Sequence, residues 1–162
     1  GHPEGSPDIS IQDLDLAIKQ KNEFSRNVDF EMYLATQFFF EAKSLINWEK
    51  HLNKIGNKLQ IHAGIPGPAS IKTLINYARS CGIGNSLRFI SKQAFNLTKL
   101  ATLSTPDKLI YDLADYINTN KGTKLTKIHF YAFGGIKKTS DWLNNLENSN
   151  FAYNDKDQFE IK

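Results

Sequence analysis

The chain has 162 residues, 40% of them hydrophobic and 23% charged, which fits one globular domain and excludes a disordered composition. Its net charge of +3 rests on 17 lysines and 3 arginines scattered along the sequence, so no basic stripe for tracking a nucleic-acid backbone is present. A lone cysteine, Cys81, excludes an internal disulfide, and no apolar run nears the roughly 18 residues of a membrane helix, so a cytoplasmic protein without a membrane partner is expected.

The opening run His2-Pro3-Glu4-Gly5-Ser6-Pro7 reads as a loop from the interior of a protein, and Met32 is the only methionine, so the chain is expected to begin mid-domain. Asp8 or Ser10 then caps a helix whose stripe of Ile9, Leu14, Ile18 and Phe24 runs to Arg26. Residues 32–37 predict a short buried strand, and Phe38-Phe39-Phe40 carries the chain out of it. An amphipathic helix is predicted over residues 42–55 around Leu45, Ile46, Trp48, Leu52 and Ile55, closed by Gly56. A second strand at residues 59–63 leads into the breaker-rich loop Gly64-Ile65-Pro66-Gly67-Pro68. Helices follow over residues 70–80, about 86–95 and 106–118, the last with Pro106 in its first turn. A final strand at residues 127–131 ends in Phe133-Gly134-Gly135, ahead of a short helix at 138–147. The polar tail from Asn148 is expected to be partly irregular.

Strands alternating with helices predict βα units around a parallel sheet. Four such units fill this length, whereas a complete barrel takes roughly 250 residues; a small flavodoxin-like domain fits the same pattern. In either fold the loops at the C-terminal ends of the strands carry the site. That rule selects residues 2–7, 36–40, 62–68 and 129–135. Gln37 is the most informative of these, because an amide at a strand end donates and accepts at once, as a heterocycle with paired edges requires. The same amide serves equally to satisfy the backbone of neighbouring loops. Tyr77 and Tyr131 offer flat faces to a nicotinamide, flavin or pterin ring, or else simply pack in the core.

Other chemistries find little support. His2, His51, His62 and His129 have no short paired spacing, which argues against zinc. Neither a G-x-G-x-x-G run nor a P-loop occurs, and no G-x-S-x-G elbow is present. Asp13, Asp15, Asp112 and Asp115 fall on predicted helical faces, where solvation is the usual role.

Four segments, in order and at fitting distances, resemble the methylenetetrahydrofolate reductase family. Residues 1–8 look like that family's Tyr-Pro-Glu-x-His-Pro-Glu loop after its fifth strand. Ala35-Thr36-Gln37-Phe38-Phe39-Phe40-Glu41 is similar to its Thr-Gln-Phe-Phe-Phe-Asp at the sixth. His62-Ala63-Gly64-Ile65-Pro66-Gly67 resembles the Pro-Gly-Ile end of the seventh, and Ile128-His129-Phe130-Tyr131 the His-Phe-Tyr of the eighth. The likeness spans about residues 1–147.

The resemblance implies an α/β fold, a (β/α)8 TIM barrel of which this chain is the C-terminal half, from the end of strand 5 to helix 8. The N-terminal half would be its partner within the barrel, and a homo-oligomer is left open. It implies an oxidoreductase that binds FAD, takes electrons from NADH or NADPH, and interconverts methylenetetrahydrofolate and methyltetrahydrofolate. Gln37 matches the glutamine that contacts folate and nicotinamide, and Tyr77 a phenylalanine that packs on both. Thr73 falls at a further substrate contact, and Tyr131 matches the tyrosine ending the last strand. In the first loop His2 replaces a flavin-contacting tyrosine and Ser6 a flavin-contacting histidine. Lys21 and Asp15 match residues on the cofactor's phosphate and ribose side. Gly135 stands in place of an arginine near the substrate. The family's proton donor lies in the first half of its barrel, so no general acid is assigned here. A folate-binding module lacking redox activity is the alternative, motivated by the changes at His2 and Ser6.

Overall fold

The computed structural model describes residues 1–83, 101–153 and 159–161. Five α-helices and a three-stranded parallel sheet dominate the described residues. The first helix, α1 (Ile11–Phe24), starts at Ser10, whose side chain accepts the Asp13 N–H at 3.1 Å and so fills one of the unpaired donors of the first turn. A short 3-10 turn (Ser25–Asn27) follows, then strand β1 (Tyr33–Ala35).

Helix α2 (Ala42–Lys54) ends where sequence placed its stop. Gly56 takes φ +88°, its N–H bonds the Asn53 carbonyl at 3.2 Å, and the Asn57 N–H reaches back to the Leu52 carbonyl at 3.0 Å. That pair of bonds is the Schellman motif, which a left-handed glycine makes inexpensive. Strand β2 (Gln60–Pro66) runs three residues beyond the predicted end, through the supposed loop, because Pro66 sits at its last position and pairs with Tyr131. A two-residue strand β3 (Ala69–Ser70) opens onto α3 (Ile71–Ser80), capped by the Ser70 hydroxyl on the Thr73 N–H at 3.2 Å. The helix predicted over residues 86–95 lies outside the described residues.

Strand β4 (Leu103–Ser104) pairs with β3, and α4 (Asp107–Thr119) leads to β5 (Leu125–Tyr131), α5 (Ile136–Glu147) and a terminal hairpin. That hairpin, β6 (Phe151–Tyr153) against β7 (Phe159–Ile161), orders part of the tail that was expected to be partly irregular. Phe151 packs on Phe159 with ring centroids 5.5 Å apart, so three aromatics at alternate positions supply enough apolar surface to pair a segment that is otherwise polar.

The sheet runs β1-β2-β5, all parallel, in the order of the sequence. A fourth chain segment joins it at one rung. The Gly1 amine donates to the Ala35 carbonyl at 2.6 Å and the Gly1 carbonyl accepts from the Gln37 N–H at 2.7 Å, the bonding of one parallel pair. Alternate strand residues then divide between two faces. Leu34, Ile61, Ala63, Ile65 and Leu125 form one core with Ile18 of α1, Leu45 and Leu52 of α2, and Leu109 and Leu113 of α4. On the other face Tyr33 is 51% exposed, and Gln60, Lys127 and His129 are exposed as well. No described helix is long and apolar enough to cross a membrane.

At the N-terminal ends of the strands, polar side chains tie helices to sheet. Glu49 of α2, only 1% exposed, accepts from the Tyr116 hydroxyl at 2.8 Å, the Thr123 hydroxyl at 2.8 Å and the Lys124 N–H at 2.5 Å. Asn22 of α1 donates to Asn57 at 2.9 Å and accepts the Lys58 N–H at 2.7 Å. A buried carboxylate with this many donors is satisfied, so this end of the sheet is built for stability.

Candidate functional site

The C-terminal ends of β1, β2 and β5 come together around Thr36. Its N–H donates to the His62 carbonyl at 3.1 Å and its hydroxyl accepts the Gly64 N–H at 2.8 Å. Its carbonyl accepts the Tyr131 hydroxyl at 3.0 Å. One residue, 1% exposed, therefore links three strand ends.

Tyr131 reaches Thr36 by crossing β2 above Gly64, since a Cβ added at Gly64 would lie 2.8 Å from the Tyr131 Cε2 and closer still to the Thr36 carbonyl oxygen. Only a residue without a side chain leaves that slot open. Burial raises the Tyr131 phenol pKa above its usual value, and the charge of nearby Cys81 adds to the shift. The hydroxyl therefore keeps its proton for the Thr36 bond.

Beside this link lies a ladder of rings. Tyr77 stacks on Phe133 with centroids 4.1 Å apart and planes 17° apart, and Phe133 lies nearly parallel to Tyr131 at 5.6 Å. Phe38 meets Phe133 edge-on at 4.8 Å and Tyr131 at 5.7 Å. Such offset and edge-to-face pairs add to the burial energy and hold ring orientation. Tyr77 is 42% exposed, so it ends the ladder at the surface.

Gln37 adjoins Phe38 and is half-buried. Its Oε1 accepts the Phe38 N–H at 3.1 Å, a weak local bond that a ligand edge can replace. Tyr77 and Tyr131 thus belong to one cluster, joined through Phe133, and Gln37 adjoins it as the residue before Phe38. Thr73 lies one turn before Tyr77 on α3, but its hydroxyl shares a 2.8 Å hydrogen bond with Ser70 and serves the helix cap. After α3, Gly82 adopts φ +66° and Ile83 folds back under the helix end into the cluster of Phe38 and Ala78. A Cβ at Gly82 would meet Pro7 at 2.6 Å, so the first loop packs against this turn.

The first loop carries His2 and Ser6. Its Gly1 end is anchored to Gln37 by backbone, and the Ser44 hydroxyl of α2 donates to Glu4 at 3.3 Å. Burial lowers the pKa of His2, and the positive charge of Lys21 adds to the effect. Lys21 therefore lies within electrostatic reach of the His2 loop. Ser6 accepts the Asp8 N–H at a long 3.4 Å. Asp15 is placed apart from these groups: it pairs with His51 of α2 at 2.8 Å. Gly135, φ +104° at the start of α5, has open space where a Cβ would lie.

A separate cleft of about 220 Å³ lies between the starts of α2 and α4, lined by Phe40, Lys43, Pro66, Ser104, Lys108 and others. It contains none of Gln37, Thr73, Tyr77 or Tyr131.

Sequence reasoning did not single out Thr36 or Phe133, although both lie inside the strand-end clusters it selected. Thr36 acts through contacts at separations of 28 and 95 residues, which no local pattern records. No protein-family model matches the chain.

Proposed function

We propose that this chain is the C-terminal half of a (β/α)8 barrel resembling methylenetetrahydrofolate reductase, and that the ends of its strands bind the ring of a folate one-carbon adduct for exchange of hydride with a flavin. The ring cluster in which Phe133 stacks on Tyr77 of α3 and lies beside Tyr131 at the end of β5, with Gln37 adjoining at the end of β1, is the observation that carries this reading. The half-barrel part is supported by the sequential strand order, by helices α1, α2 and α4 sharing one face, and by the Gly1 rung on β1. A doubly wound sheet places helices on both faces and reverses its strand order.

Within this reading the chain supplies positioning. Gln37 pairs with the edge of the pterin, and the exposed face of Tyr77 carries the ring, with Phe133 holding Tyr77 in plane. Tyr131, bonded to Thr36, keeps the strand ends in register beneath it. Lys21 fits a cofactor phosphate beside the His2 loop. FAD, when bound, supplies the hydride chemistry, with NADH or NADPH as its reductant. Replacing Gln37 with Ala in the complete enzyme tests the assignment: folate turnover should fall about 100-fold while the unfolding midpoint stays within error. Unchanged folate kinetics would remove Gln37 from the site.

One observation favours the second reading, a folate-binding module without redox activity. Asp15, matched to the cofactor's ribose side, is engaged by His51 instead. Folate binding without flavin retention is the result that reading requires.

A further inference from the structure

Gln37 lies two residues past the end of β1, beyond the paired ladder. On the β2 side the residue before it, Thr36, is bonded to His62 and Gly64. On the other side the Gln37 N–H donates to the Gly1 carbonyl at 2.7 Å. Gly1 in turn meets a stripe along α2. Ser44, Trp48 and His51 fall at i, i+4 and i+7, on one face of that helix. The Ser44 hydroxyl donates to Glu4 of the first loop at 3.3 Å, and His51 pairs with Asp15 of α1 at 2.8 Å. Between them the Trp48 indole lies against the Gly1 α-carbon. A Cβ added at Gly1 would meet Trp48 Cη2 and lie 2.6 Å from Cζ2. The indole is not free to swing aside, because it packs against the main core.

We infer that Trp48 is a positioning residue for Gln37: its indole holds Gly1 on β1, and Gly1 fixes the backbone from which the Gln37 amide reaches a ligand. The inference rests on the folate reading for the role of that amide and deepens it by naming what sets its position. Hydrogen bonds to two edges of one heterocycle tolerate little displacement, so a shift of the Gln37 backbone costs affinity although Trp48 touches no ligand. The pairing of residues follows from space. Glycine alone leaves the room that the indole occupies. The indole atoms that a Cβ would meet belong to its outer ring, beyond the reach of a phenylalanine at the same place. Trp48→Phe therefore makes the room that Gly1→Ala needs.

Hydrogen exchange of the Gln37 amide and the Kd for 5-methyltetrahydrofolate, both measured on the intact protein, test the inference in Gly1→Ala, Trp48→Phe and the pair. Gly1→Ala should speed exchange of the Gln37 amide about tenfold and weaken folate binding about tenfold, because the rung that protects and places it is pushed off. Adding Trp48→Phe should return both to within about twofold of the unsubstituted protein, since the two side chains compete for one space. In a Gln37→Ala background, Gly1→Ala should cost no further folate affinity, whereas a general loosening of the fold would still cost it. Unchanged Gln37 exchange in Gly1→Ala, or no recovery in the pair, would overturn the contact on which the inference stands. Faster exchange with unchanged folate affinity, where Gln37→Ala does weaken binding, would overturn the positioning role and leave Gln37 in the site. No folate binding by the unsubstituted protein, or none lost in Gln37→Ala, would overturn the folate reading and the inference with it.

Discussion

The Tyr131 hydroxyl donates to the Thr36 carbonyl at 3.0 Å, passing over the α-carbon of Gly64 to do so. Two strand ends that are not neighbours in the sheet, β1 and β5, are thereby joined across the strand between them. The Tyr131 ring held by this crossing packs in turn on Phe38 and Phe133 of the candidate site.

Gly64→Ala should be strongly destabilising. The added methyl meets a backbone oxygen, which cannot turn aside, as well as the Tyr131 ring at 2.8 Å. Overpacking of this kind costs about 1–3 kcal/mol. Urea unfolding of the two proteins measures it; a shift near zero would show that Tyr131 does not occupy the slot.

Tyr131→Phe removes the bond and keeps the ring. The loss should be about 1 kcal/mol, the net worth of one hydrogen bond. In Gly64→Ala, where the crossing is already disturbed, the same substitution should cost measurably less, because the two side chains act on one contact. A double-mutant cycle by urea denaturation gives the coupling directly.

At the other end of the strands, Glu49→Gln should cost about 2 kcal/mol. The amide offers one acceptor oxygen where the carboxylate offers two, to three donors from Tyr116, Thr123 and Lys124. Because this network sits away from Gln37 and Tyr77, ligand affinity should change little while the unfolding midpoint drops.

The same network predicts a pH dependence. Burial, the hydrogen bond to Glu49 and that carboxylate's charge raise the Tyr116 pKa from 10.0 to about 12. A raised folded-state pKa favours the protonated phenol in the fold. Its contribution is therefore complete below pH 10 and is lost as pH climbs from 10 toward 12. Chemical denaturation across that window should show a fall in stability that is shallower in Tyr116→Phe.

Much of this fold is written locally. Leu45, Leu52 and Gly56 announce α2 and its end, and Ser70 caps α3 where a serine before an apolar stripe should. Strand β2 was under-read because Gly64 and Pro66 are breakers by composition, yet in place one accommodates the Tyr131 ring and the other closes the ladder. The terminal hairpin escaped because its pairing depends on Phe151 and Phe159, eight positions apart in a polar run. At the site, strand-end position alone pointed to Gln37 and Tyr131. The hub at Thr36 depends on partners far along the chain, and the division of Lys21 from Asp15 on α1 depends on where His51 of α2 falls.

The visible absorption spectrum of the purified complete protein, before and after NADH is added without oxygen, tests the central claim most directly. The account predicts a flavin band that bleaches on reduction and returns when methylenetetrahydrofolate is supplied. A colourless protein that cannot be reconstituted with FAD would contradict it, and would turn attention to His2 and Ser6 in the loop where the flavin should lie.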